Sequence, residues 1–139
     1  MKNYEQFHDG YFEGMWVPGQ GTTHVYLATS GRDRSIAVLN GVVMLKVTGF
    51  KEGNIILDVG TCDSPEATLE DIATLYDLKP GHEPANWEVQ LLDRIRNGSL
   101  VLFSISTSYG GECLILAEKV SLLSEEAWKE HYMLVRSSK

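Results

Sequence analysis

Ser35-Ile36-Ala37-Val38-Leu39-Asn40-Gly41-Val42-Val43-Met44-Leu45-Lys46-Val47 sets two short aliphatic runs on either side of an Asn-Gly pair. Both runs are rich in the β-branched residues that strands favour. Asn-Gly supplies the turn chemistry that ends one run and begins the next. The pattern extends to both sides. Strands are expected over residues 11–17, 24–29, 35–39, 42–47 and 55–59, separated by Pro18-Gly19-Gln20-Gly21, Ser30-Gly31-Arg32-Asp33, Asn40-Gly41 and Glu52-Gly53-Asn54. Turns this short cannot house the crossover that parallel strands need, so the block reads as an antiparallel meander.

The period changes after Gly60. Ser64-Pro65-Glu66 is one expected helix start and Thr68-Leu69-Glu70-Asp71 a second, each with carboxylates at the positive end of the helix. Leu69, Ile72, Ala73 and Tyr76 fall at i, i+3, i+4 and i+7 and form one apolar stripe. Lys79-Pro80-Gly81 ends that helix. A second runs from Pro84 or Ala85 to Gly98, a C′ glycine, with Trp87, Leu91 and Ile95 on its expected buried side. Strands resume over residues 100–108 and 112–122, joined through Tyr109-Gly110-Gly111-Glu112 as a two-residue hairpin. A last helix starts at Ser124, and the tail Arg136-Ser137-Ser138-Lys139 is expected to fray. The fold class is therefore α+β: a mainly antiparallel β meander, built as a sandwich or a strongly curved sheet, with a two-helix insert and a C-terminal helix. At 139 residues the chain suits one domain, with residues 64–97 as the helical insert within it.

That insert is also where the acid lies. Residues 61–98 hold Asp63, Glu66, Glu70, Asp71, Asp77, Glu83, Glu88 and Asp93 against Lys79, Arg94 and Arg96, which is −5 of the chain's net −7. Helices commonly carry a solvated charged face. A concentrated single sign repels itself, however, and is favoured where an opposite charge is to be met. These eight carboxylates are the candidate partner-binding residues. Glu88 leaves two readings open: a first-turn carboxylate in solvent, or a partly buried one with a raised pKa or a buried cationic partner. Tyr76, Trp87 and Tyr109 are candidate aromatic anchors.

A pI near 5.0 opposes attraction to nucleic acid or to an anionic membrane. No stretch approaches the length of a membrane span, and Met1-Lys2-Asn3-Tyr4-Glu5 lacks the apolar run of a signal peptide, so a cytoplasmic location is expected. Two cysteines, Cys62 and Cys113, are too few for a disulfide framework. With His8, His24, His82 and His131 they show no paired ligand spacing; His82-Glu83 begins like a zinc-protease motif but lacks the second histidine. Neither a metal, a cofactor nor a catalytic residue is expected. Cys62, in a polar loop before a helix, is the more exposed candidate thiol, and Cys113 reads as a small buried one.

Phe7-His8-Asp9-Gly10, followed by a glycine-punctuated meander and later by Ser108-Tyr109-Gly110-Gly111-Glu112 in a hairpin, resembles small uncharacterised bacterial β-rich domains, some of them polymorphic-toxin immunity proteins. The resemblance covers about half of the chain and implies a non-enzymatic cytoplasmic protein that binds and neutralises a toxin. Residues 64–97 lie outside it, which would make them the specificity element. Under it, His8-Asp9 braces the chain start through a side-chain hydrogen bond. The expected function is a protein-binding module, an immunity-type inhibitor of a basic toxin-like partner. The alternative is a small-ligand binder or small enzyme using a pocket of the curved sheet, to which Ser104, Ser106 and Ser108 would contribute. Self-association through an exposed strand edge is a third route.

Overall fold

The computed structural model describes residues 2–134. In chain order the elements are β1 Lys2–Asn3, a 3-10 turn at Glu5–Phe7, β2 Tyr11–Gly19, β3 Thr22–Ala28, β4 Arg34–Asn40, β5 Met44–Thr48, β6 Asn54–Cys62, α1 Leu69–Leu75, α2 Asn86–Arg96, β7 Val101–Tyr109, β8 Glu112–Ala117, β9 Lys119–Ser124 and α3 Glu125–Trp128, which continues as a π-helical segment Lys129–Leu134. The tail at residues 136–139, expected to fray, lies outside the described residues. Among the described residues the nine strands form one antiparallel, unclosed sheet in the order β5-β8-β7-β6-β2-β3-β4-β9, with β1 added beside β6. The helices fall where the α+β reading puts them, two mid-chain and one after the last strand.

Asn40-Gly41 does not close a hairpin between its flanking strands. β4 pairs β3 and β9, whereas β5 pairs β8. The two strands joined by residues 41–43 stand six places apart in the sheet, about 29 Å if it were flat. The connection from Asn40 to Met44 can span only about 14 Å. β8 and β9 stand equally far apart and are joined through Glu118 alone. The sheet must therefore roll until its two ends lie within that reach, without closing. β4–β5 and β8–β9 behave as two long bent strands that stay paired around a corner, with Asn40 opposite Lys119 before it and Met44 opposite Leu116 after it. Three residues, 41–43, oppose two, 117–118, the signature of a bulge, and bulges are how strands bend from one leaf of a sheet into another. Val43 N–H donates to Leu116 O, and Glu118 N–H is shared between Asn40 O and Gly41 O. Gly41 takes φ 65°, and a Cβ there would meet the Glu118 carboxylate at 2.4 Å. The turn signal was local; the partner of each strand was not.

Rolling places the inward residues of both leaves against one another. Phe12, Leu27, Leu39, Ile56, Phe103 and Ile115 are buried in this central core. Phe7-His8-Asp9-Gly10 seals the seam where β2 meets β6. Phe7 fills the core, His8 Nδ1 lies 2.8 Å from Leu57 O, and Asp9 N–H donates to Ile56 O. A Cβ on Gly10 would stand 2.1 Å from Ala28 O, so only glycine fits beneath β3. At the same seam the buried side chain of Asn54 satisfies four groups: its Oδ1 accepts from Lys51 N–H and Gly111 N–H, and its Nδ2 donates to Phe12 O and Lys51 O.

The outer face of β7 and β8 is covered by the helix pair. Leu102 and Leu116 pack with Ile72, Leu75, Leu92 and Ile95 in a second core. The outer face of β3 and β4 is covered by α3, where Trp128 Nε1–H donates to His24 Nδ1 at 2.9 Å and stacks edge-on against Tyr26. Ser124 caps α3, its Oγ accepting from Ala127 N–H. The phase of α2 differs from the expected one by one residue. Glu88, Leu92 and Ile95 face inward, while Trp87 stands 42% exposed and Leu91 is half-buried.

Candidate functional site

α1 begins at a reciprocal cap. Thr68 Oγ1 accepts from Asp71 N–H while the Asp71 carboxylate accepts from Thr68 N–H. The outward side of α1, with the connection that follows it, encloses an open groove of about 680 Å3 lined by Glu70, Ala73, Asp77, Pro80, His82 and Pro84 among others. Lys46 reaches into it from β5, its Nζ donating to Thr74 O at 2.8 Å and to Asp77 Oδ1 at 2.5 Å. The ammonium therefore satisfies a carbonyl at the negative end of α1 as well as a carboxylate.

The candidate acidic residues separate into three groups. Asp63, Glu66, Glu70, Glu83 and Asp93 are solvent-exposed. Asp71 and Asp77 are engaged, one in the cap and the other by Lys46. Glu88 is 2% exposed and cannot belong to a contact surface, which corrects its place in the candidate set. The local charge is thus partly offset by a lysine from another part of the chain.

Glu88 is interior because it finds two donors. Ala85 cannot cap α2 with its own side chain, so the Glu88 carboxylate turns back to accept from Ala85 N–H, and its other oxygen lies 2.6 Å from His82 Nε2. The Ala85 amide, ahead of His82, holds the Glu88 carboxyl below the usual carboxylate range despite its burial. His82 is raised above its ordinary value, chiefly by the hydrogen bond to Glu88. Of the two open readings for Glu88, burial is the one found, with a histidine as its partner and with the pKa lowered instead of raised. Lys46 and His82 are the residues that sequence reasoning missed. The available signal was a lysine inside a strand pattern and a histidine six positions before a carboxylate at an apolar helical position.

Trp87 lies beside this region, its ring centroid 4.9 Å from that of Tyr76 in an edge-on stack. Tyr76 is half-buried, and Tyr109, at the distant hairpin, is exposed with the Lys51 ammonium over its ring. Cys62 is buried, not exposed, its Sγ 3.8 Å from Ser64 Oγ. Burial pushes the Cys113 thiol up to about 12. Among the described residues no three His, Cys, Asp or Glu side chains gather into a metal-holding group, and no helix is long and apolar enough to cross a membrane. Ser104 and Ser106 converge with Lys46, Asp71, Thr74 and Glu112 on a smaller groove of about 240 Å3 between α1 and the sheet, while Ser108 bonds Ile55 O at the far end of β7.

Comparison with protein-family models, curated proteins and solved structures finds no match to the chain.

Proposed function

We propose that the chain is a protein-binding module whose helix pair receives a basic partner, and that an immunity-type inhibitor of a toxin enzyme is the form of that function. The observation that carries the reading is Trp87: an indole that helical spacing assigned to the interior stands 42% exposed, braced by Tyr76, within a field of exposed carboxylates. Tryptophan is the side chain most enriched at energetic centres of interfaces, where it needs a surround that excludes water. Glu70 on α1 and Glu83 in the connection to α2 are exposed carboxylates of the same helix pair. A basic surface supplies the missing charge, speeds encounter by steering, and covers the indole on docking. Enzymes that act on nucleic acid carry such surfaces, which joins this reading to the resemblance in the Phe7-His8-Asp9-Gly10 and hairpin segments.

Copurification from the native source, followed by binding measurements with Trp87→Ala, tests this reading. An interfacial indole predicts a loss of about 2 kcal/mol or more in affinity, mainly through faster dissociation, in a variant that keeps its fold. Unchanged affinity would remove Trp87 from the interface. A second reading, a small polar ligand between α1 and the sheet, is favoured by the convergence of Ser104, Ser106, Lys46 and Glu112. Its groove is smaller than the roughly 300–1,000 Å3 that ligand sites usually occupy.

A further inference from the structure

His82 has an acceptor on each side of its ring. Nδ1 lies 3.0 Å from Lys79 O and Nε2 lies 2.6 Å from Glu88 Oε1. A carbonyl oxygen can only accept, and so can an ionised carboxylate, so both contacts are hydrogen bonds only when both ring nitrogens carry protons. A neutral imidazole satisfies one and forfeits the other. We propose that His82 is an imidazolium latch which pins the α1–α2 connection to the buried carboxylate at the base of α2, and that it lets go as pH rises.

The raised His82 pKa and the lowered Glu88 pKa agree with this pairing. The groups around the ring are of both signs. Glu88 faces it from α2, Lys46 from β5, and Glu70 and Asp77 from α1 across the shared groove; Lys79 and Glu83 flank it in the chain. Lys46 is already held by Thr74 O and Asp77, so Glu88 is the counter-ion in direct contact.

The sign follows from linkage. The closed state has the higher histidine pKa, so its advantage is complete below the ordinary value of 6.5 and disappears as pH rises through the closed-state value. Between the two values the open population grows with pH, by at most about tenfold per unit. Residues 79–84 form one wall of the groove beside Glu70 and Asp77, so opening reshapes the face assigned to the partner. That consequence rests on the protein-binding reading; the latch itself does not.

Nitrogen-15 spectra of the isolated protein, recorded across a pH series, test the latch directly. Both His82 nitrogens should be protonated at pH 6.5, and the titration midpoint should lie above the ordinary value. Amide exchange in residues 79–85, corrected for its intrinsic pH dependence, should then accelerate as pH rises from 6.5 through that midpoint, by at most about tenfold per pH unit, and level off above it. Glu88→Gln keeps a cap for Ala85 N–H and should lower the His82 midpoint; His82→Gln keeps Glu88 and should make the exchange profile flat. A neutral, singly protonated His82 at pH 6.5 overturns the proposal, as does a midpoint unmoved in a helical Glu88→Gln protein. With the copurified partner, wild-type binding should weaken as the latch opens and His82→Gln binding should not follow pH. A latch that opens without any change in binding contradicts the placement of the partner on this face and leaves the latch standing.

Discussion

Asn54 shows how one side chain can fix a fold that no neighbouring residue announces. Its amide bonds to Lys51 in its own turn, and, in a buried setting, to Phe12 across the seam and to Gly111 far along the chain. Asn54→Ala leaves Phe12 O and Gly111 N–H without that partner, and should lower unfolding free energy by about 2–4 kcal/mol in urea titrations. A loss below about 1 kcal/mol would mean that water replaces the amide. Trp87→Ala makes the opposite case. A fully buried indole would cost about 3–5 kcal/mol on truncation, but the exposed ring should cost only about 1 kcal/mol in the same titrations. The helical spacing placed Trp87 inward because tryptophan is the more apolar residue. It could not register that Glu88 would find His82 and the Ala85 amide, and a satisfied carboxylate can occupy an interior position that an unsatisfied one cannot.

Elements with local causes were legible, and elements with distant causes were not. The Thr68 and Ser124 caps follow from chemistry within four residues, and each is found where its residues stand. The two-residue hairpin expected at Gly110-Gly111 is not: β7 and β8 are paired only from Val101 opposite Ala117 to Ile105 opposite Cys113, Tyr109 lies opposite Ile55 of β6, and of the two glycines only Gly110 takes a positive φ. Asn40-Gly41 is equally local, but a left-handed glycine serves a hairpin and a bulged corner alike. What makes it a corner is the pairing of β4 with β9 and of β5 with β8, which depends on residues more than 60 positions away. The expected single strand over residues 112–122 likewise breaks at Glu118, opposite that corner. Gly41→Ala should cost about 1–2 kcal/mol in thermal or chaotrope unfolding, because alanine at φ 65° is strained and Glu118 must also swing aside. Glu118→Ala combined with it should recover only the steric part. Full recovery would mean that backbone conformation contributes nothing at the bend.

At the scale of the whole molecule the rolled sheet forms a two-leaf core, with the helix pair on one outer face and α3 on the other. The helix pair is an excursion between β6 and β7, which are themselves paired side by side, so it adds a surface to the sheet without being needed to connect it. On that surface the sequence located the acid correctly as a segment, and the fold decided which carboxylates reach solvent. Glu70, Glu83 and Asp93 do; Glu88 does not. Reversing Glu70, Glu83 and Asp93 to lysine removes no hydrogen-bond partner from the Thr68 cap, the Lys46 ion pair or the His82–Glu88 contact, so stability should change by no more than about 0.5 kcal/mol per site, while the new cations at 70 and 83 should lower the His82 midpoint. Association with a basic partner should change far more, since steering depends on summed charge and is screened over about 10 Å at 0.1 M salt. The decisive measurement is stopped-flow association of the copurified partner with the wild type and this triple variant across a salt series. The wild-type on-rate should fall steeply as salt rises, and the triple-variant on-rate should be slower at low salt and nearly flat. Equal on-rates with equal salt slopes would contradict it and leave the acid of the helix pair as an ordinary solvated face.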